Sequence, residues 1–368
     1  MTLILCVILV ALIFEYINGF HDTANSIATV VATKVLTPRQ AVALAAITNL
    51  IGALWGTAVA KTIASGLVDA RVVSQEVLIC ALIGAVVWNL ATWYWGLPSS
   101  SSHALVGGLV GAAVAAAGNW QVVIWSQPDA VHWYAGKGLL WKVVLPMFLS
   151  PAVGFVIGML IMGLLYALLR NWKPRTVNAV FGKAQLLSAA GMGFMHGTND
   201  AQKTMGIIAL ALAAGTGAGL MNDLPDWLSF LRVETPGPGK DLEIAMWIKI
   251  TCAVVMASGT AGGGWRIIKT LGHKMVRLQP VHGFAAETTS ATIIGIASHF
   301  GIPVSTTHNI SASIMGVGAA KRLNALKWTI IEKMIWAWLL TIPISGTIAY
   351  LLVRMLLATG HASPYAAS

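Results

Sequence analysis

Ten long apolar stretches dominate this chain, at approximately 1–33, 40–60, 77–97, 99–118, 139–169, 184–220, 242–263, 280–300, 303–320 and 334–357. A helix crosses a hydrocarbon core of about 30 Å with about 20 residues, so 40–60 and 77–97 have the length of single spans. Only 10% of the residues are charged, where soluble domains carry about 25%. Segments alternating polar and apolar over about ten residues, the mark of a membrane β-barrel, are absent. The sequence therefore reads as an all-α polytopic membrane protein with about 10–12 membrane segments, some of them broken helices or re-entrant hairpins. The first stretch lacks a basic leader and a small-residue cleavage site, and reads as a retained helix rather than a signal peptide. Cys6, Cys80 and Cys252 lie inside apolar stretches, without disulfide or metal spacing, and read as small buried hydrophobes.

The net charge of +10 does not point to nucleic acid, because the excess sits in short loops. Arg170/Lys173/Arg175/Lys183, Arg266/Lys269/Lys274/Arg277 and Lys321/Arg322/Lys327/Lys333 are clusters with almost no acid. The loop 221–243 sets five acids against Arg232 and Lys240, a net of −3. Short basic loops favour the cytoplasmic side, which puts 170–183, 264–279 and 321–333 inside and 221–243 outside. Both termini then fall outside. The stretches 1–33 and 184–220 exceed one straight span, and each is expected to break in its middle. Trp120, Trp125, Trp141 and Trp172, near span ends, read as interfacial belt residues.

The two halves of the chain echo each other. HDTANSIATVV from His21 matches NDAQKTMGII from Asn199, aligning Asp22 with Asp200 and Asn25 with Lys203. GLPSSSSHALVGGLVG from Gly96 matches GIPVSTTHNISASIMG from Gly301, pairing His103 with His308 and Gly111 with Gly316. The first repeat, 1–169, begins outside, and the second, 184–368 with its external loop 221–241, begins inside, with 170–183 as a basic cytoplasmic linker. Repeats of inverted topology with polar interruptions near the midplane are the pattern of secondary transporters.

The polar stretches carry the chemistry. A charged side chain at the bilayer centre costs about 2.5–3.5 kcal/mol on insertion scales, so it faces a cavity and takes a partner. The bland reading makes Asp22 and Asp200 half-helix caps or lysine partners, but their duplication favours a shared site. In PSSSSH and PVSTTH a proline ends one helix, and the hydroxyls and free N–H groups of the next helix point at one spot. Such helix starts are ready oxyanion sites. Ordinary caps are the alternative. Lys203 stands where the first repeat has Asn25, and can neutralise Asp22 or Asp200 or contact an anion. His21 beside Asp22, and His196 before Asp200, are candidates for proton relay. His103 and His308 are expected to orient the turns through hydrogen bonds, with a proton role open. Glu287 is a further intramembrane acid, and Glu15 faces either the same cavity or the outer interface. Carboxylates around an oxyanion site repel the anion unless a cation intervenes, which suggests oxyanion symport with cations.

GFHDTANSIATVV, GTNDAQKTMGII, PSSSSH and PVSTTH, in that order, resemble the duplicated signatures of the PiT inorganic phosphate transporter family. The likeness runs along nearly the whole chain and is nearest to the bacterial low-affinity Pit permeases, without their long central insertion. It implies an inverted-repeat fold, a homodimer in a plasma membrane (the bacterial inner membrane), and phosphate moved with H⁺ or Na⁺. It also implies that the cargo can be a neutral complex of phosphate with Mg²⁺ or another divalent metal. The substrate and ion site implied by the motifs is Asp22, Asn25, Ser101, Ser102, Asn199, Asp200, Thr306 and Thr307. Sodium-coupled relatives tend to carry Asn-Asp with a downstream Asn in both signatures, and here His21 and Lys203 depart from that. A fixed ammonium repels Na⁺ from the same carboxylates, so protons are the expected coupling ion, with no resident cofactor. Sulfate transport, a passive anion channel and an intramembrane hydrolase are the competing readings. The last is weakened because catalytic sites are rarely duplicated.

Overall fold

The computed structural model describes residues 2–127, 136–222, 224–233 and 242–360. Among them the chain forms α1 (Thr2–Ala32), α2 (Pro38–Ala53), α3 (Ala58–Ser65), α4 (Gln75–Trp95), α5 (Ser101–Ala117) and α6 (Leu145–Leu168). A long α7 (Pro174–Gly217) follows, then α8 (Met246–Gly262), α9 (Trp265–Lys269), α10 (Pro280–His299), α11 (Thr306–Ala319) and α12 (Trp328–Ala358). The described residues form isolated bridges but no strand. Four helices are long and apolar enough to span a bilayer singly, and α2 with α3 forms a bent pair. Most of the acidic segment of the loop 221–243 lies outside the described residues.

Local chemistry sets the helix ends. Thr37 and Gln40 close a capping box in front of α2, with Pro38 at its first position. Ser74 caps α4. Ser100 accepts the His103 N–H at 3.2 Å, and Ser305 accepts the His308 N–H at 3.1 Å. The hairpins α4–α5 and α10–α11 turn at Gly96 and Gly301, whose φ values of +66° and +62° suit a residue without Cβ. Thr270 donates to the Gly96 carbonyl at 2.8 Å and Thr62 to the Gly301 carbonyl at 2.7 Å, so each turn is pinned in the same way.

Three expectations are corrected. α1 and α7 are unbroken, because the polar residues of HDTAN and TNDAQK send only their side chains to the centre and keep their backbone bonds within the helix. The break falls instead in 40–60, where Gly56 at φ +81° lets α2 and α3 bend by 71°. α7 also absorbs most of 170–183, so the basic linker is largely helical. At 44 residues it is about 66 Å long, well beyond a bilayer core. Cys6 is exposed rather than buried, while Cys80 and Cys252 are buried.

α1 and α7 run antiparallel. Asp22 lies by Asp200, Glu15 bonds Thr204, and Thr33 bonds Gln185 at 2.9 Å. Equivalent helices meeting head to tail is what a two-fold axis in the membrane plane produces. Other contacts repeat accordingly. α1 crosses α8 at Gly19 and Gly259, and α7 crosses α2 at Gly197 and Gly52. A Cβ at any of these four would fall 2.0–2.3 Å from a facing backbone oxygen. α5 presses Gly111 on α12, as α11 presses Gly316 on α6, so each repeat's hairpin packs on the other repeat's last helix. Two apolar cores result. α1 gives Ile4–Phe14 to one and Ala24–Val30 to the other, and the polar residues between form a layer that separates them.

Gly259→Leu and Gly52→Leu are expected to abolish a monodisperse peak on size exclusion, since overpacking typically costs about 1–3 kcal/mol even where neighbours can move. Gly163→Leu, with nothing within 4 Å of its added Cβ, is expected to elute as the parent protein does.

Candidate functional site

The polar layer is assembled by four helices, α1, α5, α7 and α11, and its bonds obey the repeat. Ser101 donates to Asp22 at 3.1 Å, and its counterpart Thr306 donates to Asp200 at 2.8 Å. Asn25 donates to Thr307 at 2.9 Å and Thr306 at 3.2 Å, reaching into the opposite hairpin. Lys203, in the equivalent place, donates to Ser102 of the other hairpin, to Asp200 and, at 3.1 Å, to the Val304 carbonyl. Thr307 completes Asp22 at 3.3 Å. The ammonium is therefore committed to Asp200, which resolves the open choice between the two aspartates. All of these side chains are buried, Lys203 at 2% exposure and Asp200 at 0%.

Each carboxylate also has an imidazole. His21 Nδ1 lies 2.7 Å from Asp22, with Nε2 3.2 Å from Thr92. His196 Nε2 lies 3.0 Å from Asp200, with Nδ1 3.1 Å from Asn49. One ligand atom each from Asp22, His196 and Asp200 fall within 4.8 Å of one another, a spacing suited to a single cation. The starts of α5 and α11 bring their N-terminal N–H groups to the same region.

The other candidates stand apart. Asn199 takes the position equivalent to His21 but donates to Ser298 at 2.8 Å and the Ile302 carbonyl at 3.4 Å, bracing the second hairpin from behind. His103 and His308 do not hold the turns by their rings. Their backbone amides do that, while the rings pack edge to face at 4.8 Å, and His308 stacks on Trp338 at 4.2 Å. Glu287 has a separate shell of Thr29, Ser188 and, at 3.1 Å, Gln185. Its threonine lies two helical turns beyond Asp22 on α1.

The sequence profile described as the phosphate transporter family matches residues 18–349. The chain belongs to that family. A protein of Bacillus subtilis named "Probable low-affinity inorganic phosphate transporter" is 41% identical over 96% of this chain and 98% of its own length. One of the same name from Rhizobium meliloti is 41% identical over 95% of each. A solved structure titled "The sodium-dependent phosphate transporter" covers 97% of this chain and all of its own, at 24% identity and a TM-score of 0.78, and shares the fold.

In this phosphate transporter the two hairpin turns face different surroundings. Gly301 borders an open cavity of about 460 Å³ lined by Lys61, Lys137, Lys142 and His299. Gly96 is covered by Arg266, which lies 5.0 Å over Trp93 and 4.9 Å over Tyr94 and donates to the Tyr94 carbonyl at 2.5 Å. Of these basic residues only Arg266 stood out in the sequence, as part of a basic loop, while Lys142 and His299 fall inside apolar stretches. Their gathering at the turns depends on the bend between α2 and α3 and on the short α9, neither of which has a periodicity signal.

Removing one member of a buried pair costs about 3–5 kcal/mol. Lys203→Met is therefore expected to lower the thermal midpoint of the detergent-purified protein more than Lys203→Met combined with Asp200→Asn does. Equal and additive losses in the double-mutant cycle would mean that the pair is not coupled.

Proposed function

We propose that the chain moves inorganic phosphate across the plasma membrane by proton symport, binding it between the starts of α5 and α11 beside Lys203. The observation that supports this most is the ammonium itself. It is held by Asp200, Ser102 and the Val304 carbonyl, in the layer where a dissolved cation would otherwise meet the carboxylates. A fixed positive charge there attracts the anion and repels Na⁺. The remaining charge to be balanced is on Asp22, which has an imidazole at 2.7 Å.

The hydroxyls supply the coupling. Ser101 and Thr307 direct their hydrogens at Asp22, and Thr306 directs its hydrogen at Asp200. A proton on Asp22 removes the charge that holds Ser101 and Thr307. Those hydroxyls then turn to phosphate oxygens, together with the free N–H groups at the two helix starts. Phosphate binding and protonation thus favour each other. The relatives' names, low-affinity inorganic phosphate transporters, support phosphate over sulfate and transport over catalysis.

A divalent metal accompanying phosphate is the second reading, and the spacing of Asp22, His196 and Asp200 favours it. Entry from the lysine-lined cavity, with the basic loops cytoplasmic and both termini outside, completes the proposal. A second copy is expected in the membrane on family grounds.

Uptake of radiolabelled phosphate into proteoliposomes tests it. An acid-outside pH gradient is expected to drive accumulation that a protonophore collapses, while a sodium gradient alone does not. Accumulation against a gradient also separates a symporter from a channel. Excess sulfate is expected to leave uptake intact, and added Mg²⁺ raises it if the metal complex is the cargo. Lys203→Asn, which restores the residue of the first repeat, is expected to reduce proton-driven uptake more than tenfold and to introduce a sodium requirement. Sodium-driven uptake in the unaltered protein would overturn proton coupling.

A further inference from the structure

Glu15 lies on α1 two turns before Asp22, fully buried at 0% exposure. At 1.5 Å per residue the two are about 10 Å apart along the helix. One carboxylate oxygen accepts from Thr204 on α7, a residue one turn past Asp200. The other, Oε1, has no hydrogen-bond partner among the described residues. Asn18, one turn along α1, is its other polar neighbour. The ionisable groups that face it are Asp200 and Lys203 of α7 and the Cys252 thiol of α8, and Lys203 is already paired with Asp200.

The contrast with Glu287 is informative. That carboxylate receives donors on both oxygens, from Thr29 and Gln185 on one and Ser188 on the other. Glu15 has a single firm donor and an orphaned oxygen. An ionised carboxylate in such a place has little besides the Lys203 ammonium to compensate it, so its hold on a proton follows whatever draws on that ammonium. A carboxylic acid needs less, since its own O–H can turn toward a neighbour.

Resting on the proton-symport reading, we propose that Glu15 is a proton-binding site of this transporter, loaded when phosphate occupies the cluster and emptied when it leaves. Linkage supplies the reason. An anion settling beside Lys203 draws on the positive charge that Lys203 otherwise lends to Asp200 and Glu15. Adding a proton to the Glu15 carboxylate, as –COO⁻ + H⁺ → –COOH, then becomes more favourable. By reciprocity the protonated acid favours the bound anion to the same degree. Phosphate therefore enters with a proton on Glu15 and departs as that proton is released. The site lies on the α1 N-terminal side of the cluster, opposite Glu287.

The test compares the unaltered protein, Glu15→Gln and Glu15→Asp in proteoliposomes. Two assays are run, pH-gradient-driven phosphate accumulation and phosphate–phosphate exchange without a gradient. Glu15→Gln is expected to lose part of the acceleration by an acid-outside gradient, keeping the share carried by Asp22, while exchange persists, and Glu15→Asp is expected to recover some of that loss. Gradient-driven accumulation in Glu15→Gln at the level of the unaltered protein would overturn the proposal. Should Glu15→Gln lose exchange as well, infrared difference spectra on adding inorganic phosphate decide. A protonated-carboxyl band that grows in the unaltered protein and is missing in Glu15→Gln supports the site, and an identical band in both removes it. An unaltered protein with no proton-driven uptake would defeat the symport reading, an outcome distinct from failure of the variant alone.

Discussion

The ion pair between Lys203 and Asp200 is the constraint on which the rest of the polar layer depends. Two ions taken out of water lose several kcal/mol of hydration each, and their mutual attraction repays this only with good geometry and further hydrogen bonds. Here the further bonds come from the second repeat's hairpin, through Val304 O and Thr306, and from the first, through Ser102. The pair therefore holds both hairpins against α7 at once. Removing the ammonium would free a charge and also detach two helix starts from their positions.

The surrounding packing shows how such a layer is kept in place. Two apolar cores flank it, and the helices that pass from one core to the other are α1 and α7. Their crossings with α8 and α2 are made at glycines, where the facing backbone leaves no room for a side chain. Hydrophobic attraction between helices is weak in lipid, so close approach through small residues carries the association. Close approach also fixes helix rotation, which is what aims Asp22 and Asp200 at one another rather than at lipid.

Much of this was legible in the sequence because it is local or duplicated. The aspartates, the hydroxyl runs and the odd lysine each occupy a short motif, and the repeat supplies the pairing without any structure. All-helical membrane architecture follows from composition alone. What escaped was set by distant burial. The polar runs suggested broken helices, yet α1 and α7 stay whole because the neighbouring hairpins, rather than their own backbone, provide the free N–H groups. His103 and His308 looked like turn braces, and only the packing shows the His308 ring stacked on Trp338 with the His103 ring edge-on to it, behind the site. The shells of Glu15 and Glu287 come from residues such as Thr204, Gln185 and Ser188, separated from them by about a hundred positions or more. No spacing rule connects those.

The departure from symmetry at Lys203 has a consequence in charge. With Asn at both equivalent positions the layer would hold two carboxylates and no fixed cation, a formal charge of −2. Lys203 brings the present layer to −1, from two carboxylates and one ammonium. Phosphate entering as a monoanion takes the first arrangement to −3 and the second to −2. Moving a net charge through a low-dielectric layer is opposed by desolvation, so the number of mobile cations tends to match the deficit. On the proposed symport reading, the built-in ammonium substitutes for one co-transported cation, so that a single side chain sets the ion requirement of a symmetric fold.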